Sequence, residues 1–221
     1  QVDAGDHVDA LAVHGRDGEV GWRAAEHVSE HDDATAVVDL ATLRGVPDAD
    51  GAVSRKPGAV CVVMTADCLP VLLCDRAGTV VGAAHAGWRG LVGTDGKGIL
   101  EASLEPFRPL VPVEYAQGAT EIIAWLGPCI GPEAFEVGDE VRTVFVDVSP
   151  EADQCFRPLG QGKWLADLAG LARQRLQALG VTGIYGNDST AAWCTVTNPS
   201  RFFSHRRDRV SGRQAACIWL E

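Results

Sequence analysis

Apolar positions along this chain fall into short runs broken by glycine and proline, and the runs follow two different periods. Residues 60–64 (Val-Cys-Val-Val-Met) are continuous, as expected of a buried strand. Residues 69–75 and 79–84 are further apolar, strand-like runs on either side of Arg76-Ala77-Gly78, and together they predict a β-hairpin. Residues 121–126 predict another strand, which stops at the rigid loop Gly127-Pro128-Cys129-Ile130-Gly131-Pro132. Residues 35–40 and 214–220 read as strands at either end.

Helical spacing is rarer. Residues 99–107 predict a short helix ended by Pro109, and Pro132-Glu133 places a proline and an acid where a helix begins. The clearest helix spans residues 163–179, where Leu165, Leu168, Leu171, Leu176 and Leu179 share a face and Gly180 is the stop. It reads as a core element without a chemical role. Residues 109–118 are the candidate for a mobile surface loop. Strands gather in the first half and mix irregularly with helices afterwards. That predicts an α+β fold, with mixed β-sheets packed together and helices on the outside, rather than a doubly wound parallel sheet.

Composition narrows the function classes. The chain has 221 residues, of which 46% are hydrophobic and 22% charged, which fits one large domain or two small ones with ample core, and it is read as a single domain over residues 1–221. A formal net charge of −11 argues against nucleic acid or an anionic membrane as partner, since both need a basic surface. No signal peptide is visible, and no apolar run approaches a bilayer's thickness. The seven cysteines are scattered without a Cys-x-x-Cys pair, which fits a reduced cytoplasm. Cys61, Cys74 and Cys217 read as core thiols. The chain begins at Gln1 with a polar stretch lacking any clear period, so its N-terminal part reads as truncated or divergent.

The chemistry points to one pair. With the hairpin turn centred on Arg76 and Ala77, Cys68 falls directly opposite His85, with Cβ atoms roughly 5 Å apart. A three-residue turn with a bulge would shift that pairing by one. At such a distance a thiolate and an imidazole can share a metal ion, or act as nucleophile and base. Zinc or copper would need at least one further ligand, and His7, His14, His27 and His31 lie upstream, His31 nearest.

Four ordered motifs carry a family resemblance. They are Thr65-Ala66-Asp67-Cys68-Leu69-Pro70-Val71, Ala84-His85-Ala86-Gly87-Trp88-Arg89-Gly90, the 127–132 loop with Phe135-Glu136-Val137, and Phe202-Phe203-Ser204-His205-Arg206-Arg207-Asp208 with Gly212-Arg213. Over about residues 46–221 the chain resembles the YfiH or laccase-domain family. Those proteins were first called multicopper polyphenol oxidases and later assigned as purine nucleoside phosphorylases. The resemblance implies a His…Cys…His metal site. Cys68 and His85 match its second and third ligands, and the interval to Pro47-Asp48-Ala49-Asp50 favours His31 as the first, ahead of His14 and His27. Ser29-Glu30-His31-Asp32 departs from the Gln-Val-His-Gly usual there, and the family's opening Thr-x-Arg-x-Gly-Gly stretch is missing.

The resemblance also implies phosphorolysis of adenosine, inosine and methylthioadenosine, with adenosine deamination as a further activity and zinc, or alternatively copper, as cofactor. On that reading Cys68, His85, Asp67 and Arg89 are the catalytic candidates. Arg89 would neutralise phosphate by forked hydrogen bonds, and Asp67 would exchange a proton with the base or orient a ligand. The 127–131 loop would offer N–H donors with Cys129 lining the pocket, while His205 and Arg206 would close it from the C-terminal side. The expected partners are a small purine nucleoside and phosphate, with no nucleic acid and no membrane, in a cytoplasmic monomer or small homo-oligomer. The competing readings are a copper-dependent polyphenol oxidase and a metal-free cysteine hydrolase with a Cys68–His85 dyad. A non-enzymatic binding module is a fourth.

Overall fold

Strand pairing, not helix packing, organises the molecule. The computed structural model describes residues 49–111 and 122–221 in full, together with the backbone of four short strands before them. The strands are β1 (Ala10–Val13), β2 (Gly15–Arg16), β3 (Glu19–Val20), β4 (Val37–Asp39), β5 (Gly51–Ser54), β6 (Val60–Thr65), β7 (Leu69–Asp75) and β8 (Val81–Ala86). They continue with β9 (Ile122–Leu126), β10 (Glu136–Gly138), β11 (Phe156–Gly160), β12 (Lys163–Ala166), β13 (Gly183–Gly186) and β14 (Gln214–Trp219). The α-helices are α1 (Trp88–Val92), α2 (Ile99–Phe107), α3 (Asp139–Val148), α4 (Leu168–Ala178) and α5 (His205–Asp208).

A six-stranded sheet runs β13-β9-β7-β8-β5-β4, parallel at its two outer pairs and antiparallel between them. Strand β6 instead joins β1 and β14 in a separate antiparallel sheet. The alternation along β7 explains why the sheets stack. Leu69, Val71 and Leu73 are buried on one face with α2 and α4, through Leu100, Leu104, Phe107, Leu171 and Leu176. Leu72 and Cys74 face the other way, against Cys61 and Val63 of β6 and Ala216 and Ile218 of β14. This is the α+β arrangement of mixed, stacked sheets with helices outside. No helix among the described residues is long and apolar enough to cross a membrane.

Three local expectations need correction. The hairpin turn is centred two residues' worth of register away: Pro70, not Cys68, pairs with His85, and Cys74 pairs with Val81. The cause is Asp75, whose carboxylate accepts from the N–H groups of Thr79 and Val80 at 2.7 and 2.8 Å and from the Thr79 hydroxyl at 2.8 Å. Those bonds stabilise a four-residue loop with Gly78 left-handed at φ +68°.

The helix expected over 163–179 starts only at Leu168. Residues 163–166 are β12, paired to β10 and β11, after a tight turn in which Gln161 and Gly162 both have positive φ. Asp167 caps the helix by accepting from Gly170 N–H at 2.9 Å. Its stop is as expected: Gly180 has φ +82°, and Val181 N–H donates back to the Leu176 carbonyl at 2.9 Å. Pro132-Glu133 begins a turn, not a helix; α3 begins at Asp139, with Asp139 and Glu140 in its first turn. Of the loop expected at 109–118, Arg108–Leu110 form a 3₁₀ turn, and residues 112–118 lie outside the described residues.

Candidate functional site

The chain passes from one sheet to the other through the bend Ala66-Asp67-Cys68, between β6 and β7. Asp67 holds φ +94° there, a conformation that a side chain other than glycine adopts only when its surroundings enforce it. His85 lies near the end of β8. The register error of two residues is one full strand period, so the thiol and the imidazole still approach each other from the same side. They meet over Gly87. A Cβ at Gly87 would sit 3.1 Å from Cys68 Sγ, 3.7 Å from His85 Cε1 and 3.9 Å from His85 Nε2. Glycine is what leaves that gap open.

Asp50 orients the imidazole. Its carboxylate lies 3.3 Å from His85 Nδ1, and its carbonyl accepts from His85 N–H at 2.8 Å. A carboxylate on Nδ1 assigns the proton to that nitrogen and leaves Nε2, on the side of Cys68, as the electron-pair donor. A thiol and an imidazole converging on one gap, with a carboxylate behind the ring, is a donor set that suits zinc or copper. Among the described residues no group of three His, Cys, Asp or Glu converges to hold a metal ion. His31, His14 and His27, the candidates for a third ligand, lie outside the described residues.

A cavity of about 180 Å³ opens beside this pair. Its polar lining is Asp67, Cys68, His85, His205, Arg206 and Arg213, and its apolar lining includes Trp88, Ile130, Phe135 and Leu168. The three cationic or titratable C-terminal residues make an anion-favouring wall in a chain of strongly negative charge. Arg206 also reaches the Glu136 carbonyl at 3.3 Å and lies over the Phe135 ring, 5.8 Å from its centroid.

Of the residues expected at the site, Asp67, Cys68, His85, His205 and Arg206 line the cavity. Arg89 does not. It is exposed on α1, its guanidinium stacked 4.5 Å from the centre of the Trp88 ring. Cys129 is buried behind the wall, hydrogen-bonded to Asn187 Nδ2 at 3.3 Å, and burial pushes its thiol well above the ordinary value. Its neighbour Ile130 faces the cavity instead. Three of the loop's N–H groups are committed internally: Gly127 to the Pro70 carbonyl, Ile130 to the Asp67 carbonyl and Gly131 to Cys194 Sγ.

Sequence reasoning missed Asp50, Arg213, Trp88, Phe135, Leu168 and Thr195 as site residues. Trp88, Phe135 and Arg213 stood within the motifs already singled out, so proximity in a motif was their signal. Leu168 was hidden in a helix that read as core only. Asp50 and Thr195 reach the site through contacts that only the folded chain makes.

Comparison with known proteins gives a consistent picture. The family described as multi-copper polyphenol oxidoreductase laccase matches residues 13–221. Purine nucleoside phosphorylase YfiH of Escherichia coli K12 is 50% identical over 186 residues, covering 82% of this chain and 70% of that protein. Purine nucleoside phosphorylase PA4543 of Pseudomonas aeruginosa is 47% identical, covering 78% of this chain and 65% of that protein. The crystal structure of Neisseria meningitidis protein NMB0706 superposes with a TM-score of 0.74 at 49% identity, covering 85% of this chain and 72% of that one. YlmD from Geobacillus stearothermophilus gives a TM-score of 0.71 at 29% identity, over 85% and 70% of the respective chains.

Proposed function

This chain belongs to the multi-copper polyphenol oxidoreductase laccase family, and we propose that it is a metal-dependent purine nucleoside phosphorylase acting on adenosine, inosine and methylthioadenosine. The observation that carries the reading is the meeting of Cys68 and His85 over Gly87, in a cavity also lined by Arg206, Arg213 and His205. Cys68 and His85, with His31 as third ligand, would hold zinc, with copper as the alternative. Bound there, such a metal would supply Lewis acidity to a substrate oxygen.

The chain's own residues do the rest. Arg206 and Arg213 hold the phosphate dianion, whose oxygens match a guanidinium fork. Trp88 and Phe135 give the purine aromatic surface to rest on. Attack by a phosphate oxygen forms the C1′–O bond as C1′–N9 breaks. The bonding pair leaves with the purine, and His205 delivers the proton that neutralises it. Products are ribose 1-phosphate and the free base. Apolar side chains of Ile130 and Leu168 keep water from intercepting the ribosyl cation. Adenosine deamination is the second activity read for the same cavity. The substrates are small molecules, with neither nucleic acid nor membrane as partner, in a cytoplasmic monomer or small homo-oligomer.

Incubation of purified protein with inosine and phosphate tests this directly. Equal amounts of hypoxanthine and ribose 1-phosphate, formed only with phosphate present, are expected; no phosphate-dependent product overturns the reading. The family description itself favours a second reading, copper-dependent phenol oxidation, which would need dioxygen and added copper. The Cys68–His85 approach equally suits a metal-free hydrolase, which would leave a covalent adduct on Cys68. Element analysis of protein purified without added metal separates that case from the other two.

A further inference from the structure

We propose that Asp67 is a positioning residue: its carboxylate, divided between Thr195 and the main chain of Arg206, holds the cationic wall of the cavity against the Cys68 bend. The kinetic part of its test rests on the phosphorolysis reading; the binding part does not.

Three oxygens of Asp67 reach distant segments. Its carbonyl accepts from Ile130 N–H at 2.8 Å. Oδ1 accepts from the Thr195 hydroxyl at 2.5 Å, and Oδ2 accepts from Arg206 N–H at 2.6 Å. Thr195 is itself fully buried, donating its N–H to the Cys129 carbonyl at 2.9 Å and accepting on its own carbonyl from Arg207 Nη1 at 2.8 Å. Three separate stretches of chain therefore converge on one aspartate, which adopts φ +94° to receive them.

The consequence falls on α5. Four residues are too few to hold a helix by their own hydrogen bonds. Two acceptors anchor its first turn: Ser204 Oγ takes Arg207 N–H at 3.1 Å, and Asp67 takes Arg206 N–H. Removing the second takes away the main-chain tie that fixes Arg206 at the start of the helix. Cavity width and cation placement then depend on Asp67 without its touching phosphate.

Asparagine distinguishes positioning from proton transfer. In Asp67→Asn the amide oxygen accepts from Arg206 N–H while the amide nitrogen donates to the Thr195 hydroxyl, which can serve as acceptor as well as donor. Asparagine also tolerates positive φ. All the ties survive, whereas a group that shuttles a proton to substrate would be abolished.

The test compares Asp67→Asn, Asp67→Ala, Thr195→Ser and Thr195→Val. It reads kcat and phosphate KM with saturating inosine, and the Kd of inorganic phosphate by calorimetry. Loss of a hydrogen bond to a charged group should raise phosphate KM and Kd about tenfold or more in Asp67→Ala, with a smaller fall in kcat. Asp67→Asn and Thr195→Ser should stay within about threefold of the parent protein on the same scale, and Thr195→Val should weaken phosphate several-fold. A fall in kcat of about a hundredfold in Asp67→Asn, with phosphate Kd unchanged, would overturn the proposal in favour of proton transfer. So would an unchanged phosphate Kd in folded Asp67→Ala. Should Asp67→Ala not fold, Thr195→Val against Thr195→Ser decides by the same Kd. Absence of phosphorolysis in the parent protein sinks the functional reading and leaves the binding comparison to judge the positioning role.

Discussion

Strand β7 ends in one aspartate and is preceded, two residues before its start, by another, and the two do opposite jobs with the same chemistry. Asp75 turns the chain: its three accepted hydrogen bonds come from Thr79 and Val80, four and five residues on. Asp67 gathers the fold: its carboxylate partners, Thr195 and Arg206, are 128 and 139 residues away. Each end also has one residue at positive φ, Gly78 in the turn and Asp67 itself in the bend. The local aspartate builds a register and the remote one builds a site. Losing the first should therefore cost stability, and losing what the second supports should cost activity.

The sharpest break of that comparison comes from Cys68, next to the remote aspartate. Removing a partner behind a metal ligand already costs 10–100-fold, so Cys68→Ala, which removes one of the ligands we propose, should lower kcat/KM by about a thousandfold, or about 4 kcal/mol. Bound metal, read by element analysis, should fall with it. The melting temperature should barely move beyond the metal's own contribution, because Asp75 still sets the hairpin at the far end of β7. A folded Cys68→Ala protein with near-normal phosphorolysis would remove the bend from the chemistry altogether.

Asp75→Ala is the mirror experiment. It leaves the N–H groups of Thr79 and Val80 short of an acceptor in a turn where Asp75 is 2% exposed. At about 1–3 kcal/mol for each buried donor left unsatisfied, the loss should total about 3 kcal/mol in denaturant unfolding. Activity per folded molecule should hold, since Asp75 is remote from the cavity lining. A selective loss of kcat instead would mean that the turn's register reaches the site.

Asp50→Ala falls between the two. It withdraws the carboxylate from His85 Nδ1 and lets the ring take the other tautomer, so metal affinity or kcat/KM should drop about 10–100-fold. Asp50→Asn should recover part of it, because an amide oxygen still accepts from Nδ1–H. Equal losses in both variants would point to charge, not orientation, as what Asp50 provides.

The same contrast explains how much could be read in advance. Strands β6, β7, β8 and β14 and helix α2 were legible because apolar period and nearby glycine or proline set them locally. The hairpin register was not, because Asp75 enlarges the loop by hydrogen bonds that a count of turn residues does not reveal. Cys68 and His85 still converge because the displacement equals one strand period. Residues 163–166 were misread because Leu165 continues the leucine spacing of α4, while the pairing of Trp164 with Val137 is tertiary. Asp50 and Thr195 belong to the site only through contacts between segments remote in the chain, whereas Arg213 stood in a motif that the sequence already offered. His31, the proposed third ligand, rests on the family interval alone.

The smallest effect sharpens the comparison most cleanly. Gly78 has φ +68°, and a Cβ built on it meets no atom within 4 Å. Gly78→Ala therefore carries the cost of a left-handed backbone and nothing else, about 1 kcal/mol. For a chain of this size that is about 2–4 °C in melting temperature. Phosphate Kd and kcat should stay at the parent values, because neither Asp75's acceptors nor the register of Pro70 with His85 is touched. A larger thermal loss would mean the turn is strained as the Asp67 bend is. A change in phosphate Kd would mean that β7 transmits turn geometry along its length, and the two ends of the strand would have to be treated as one device.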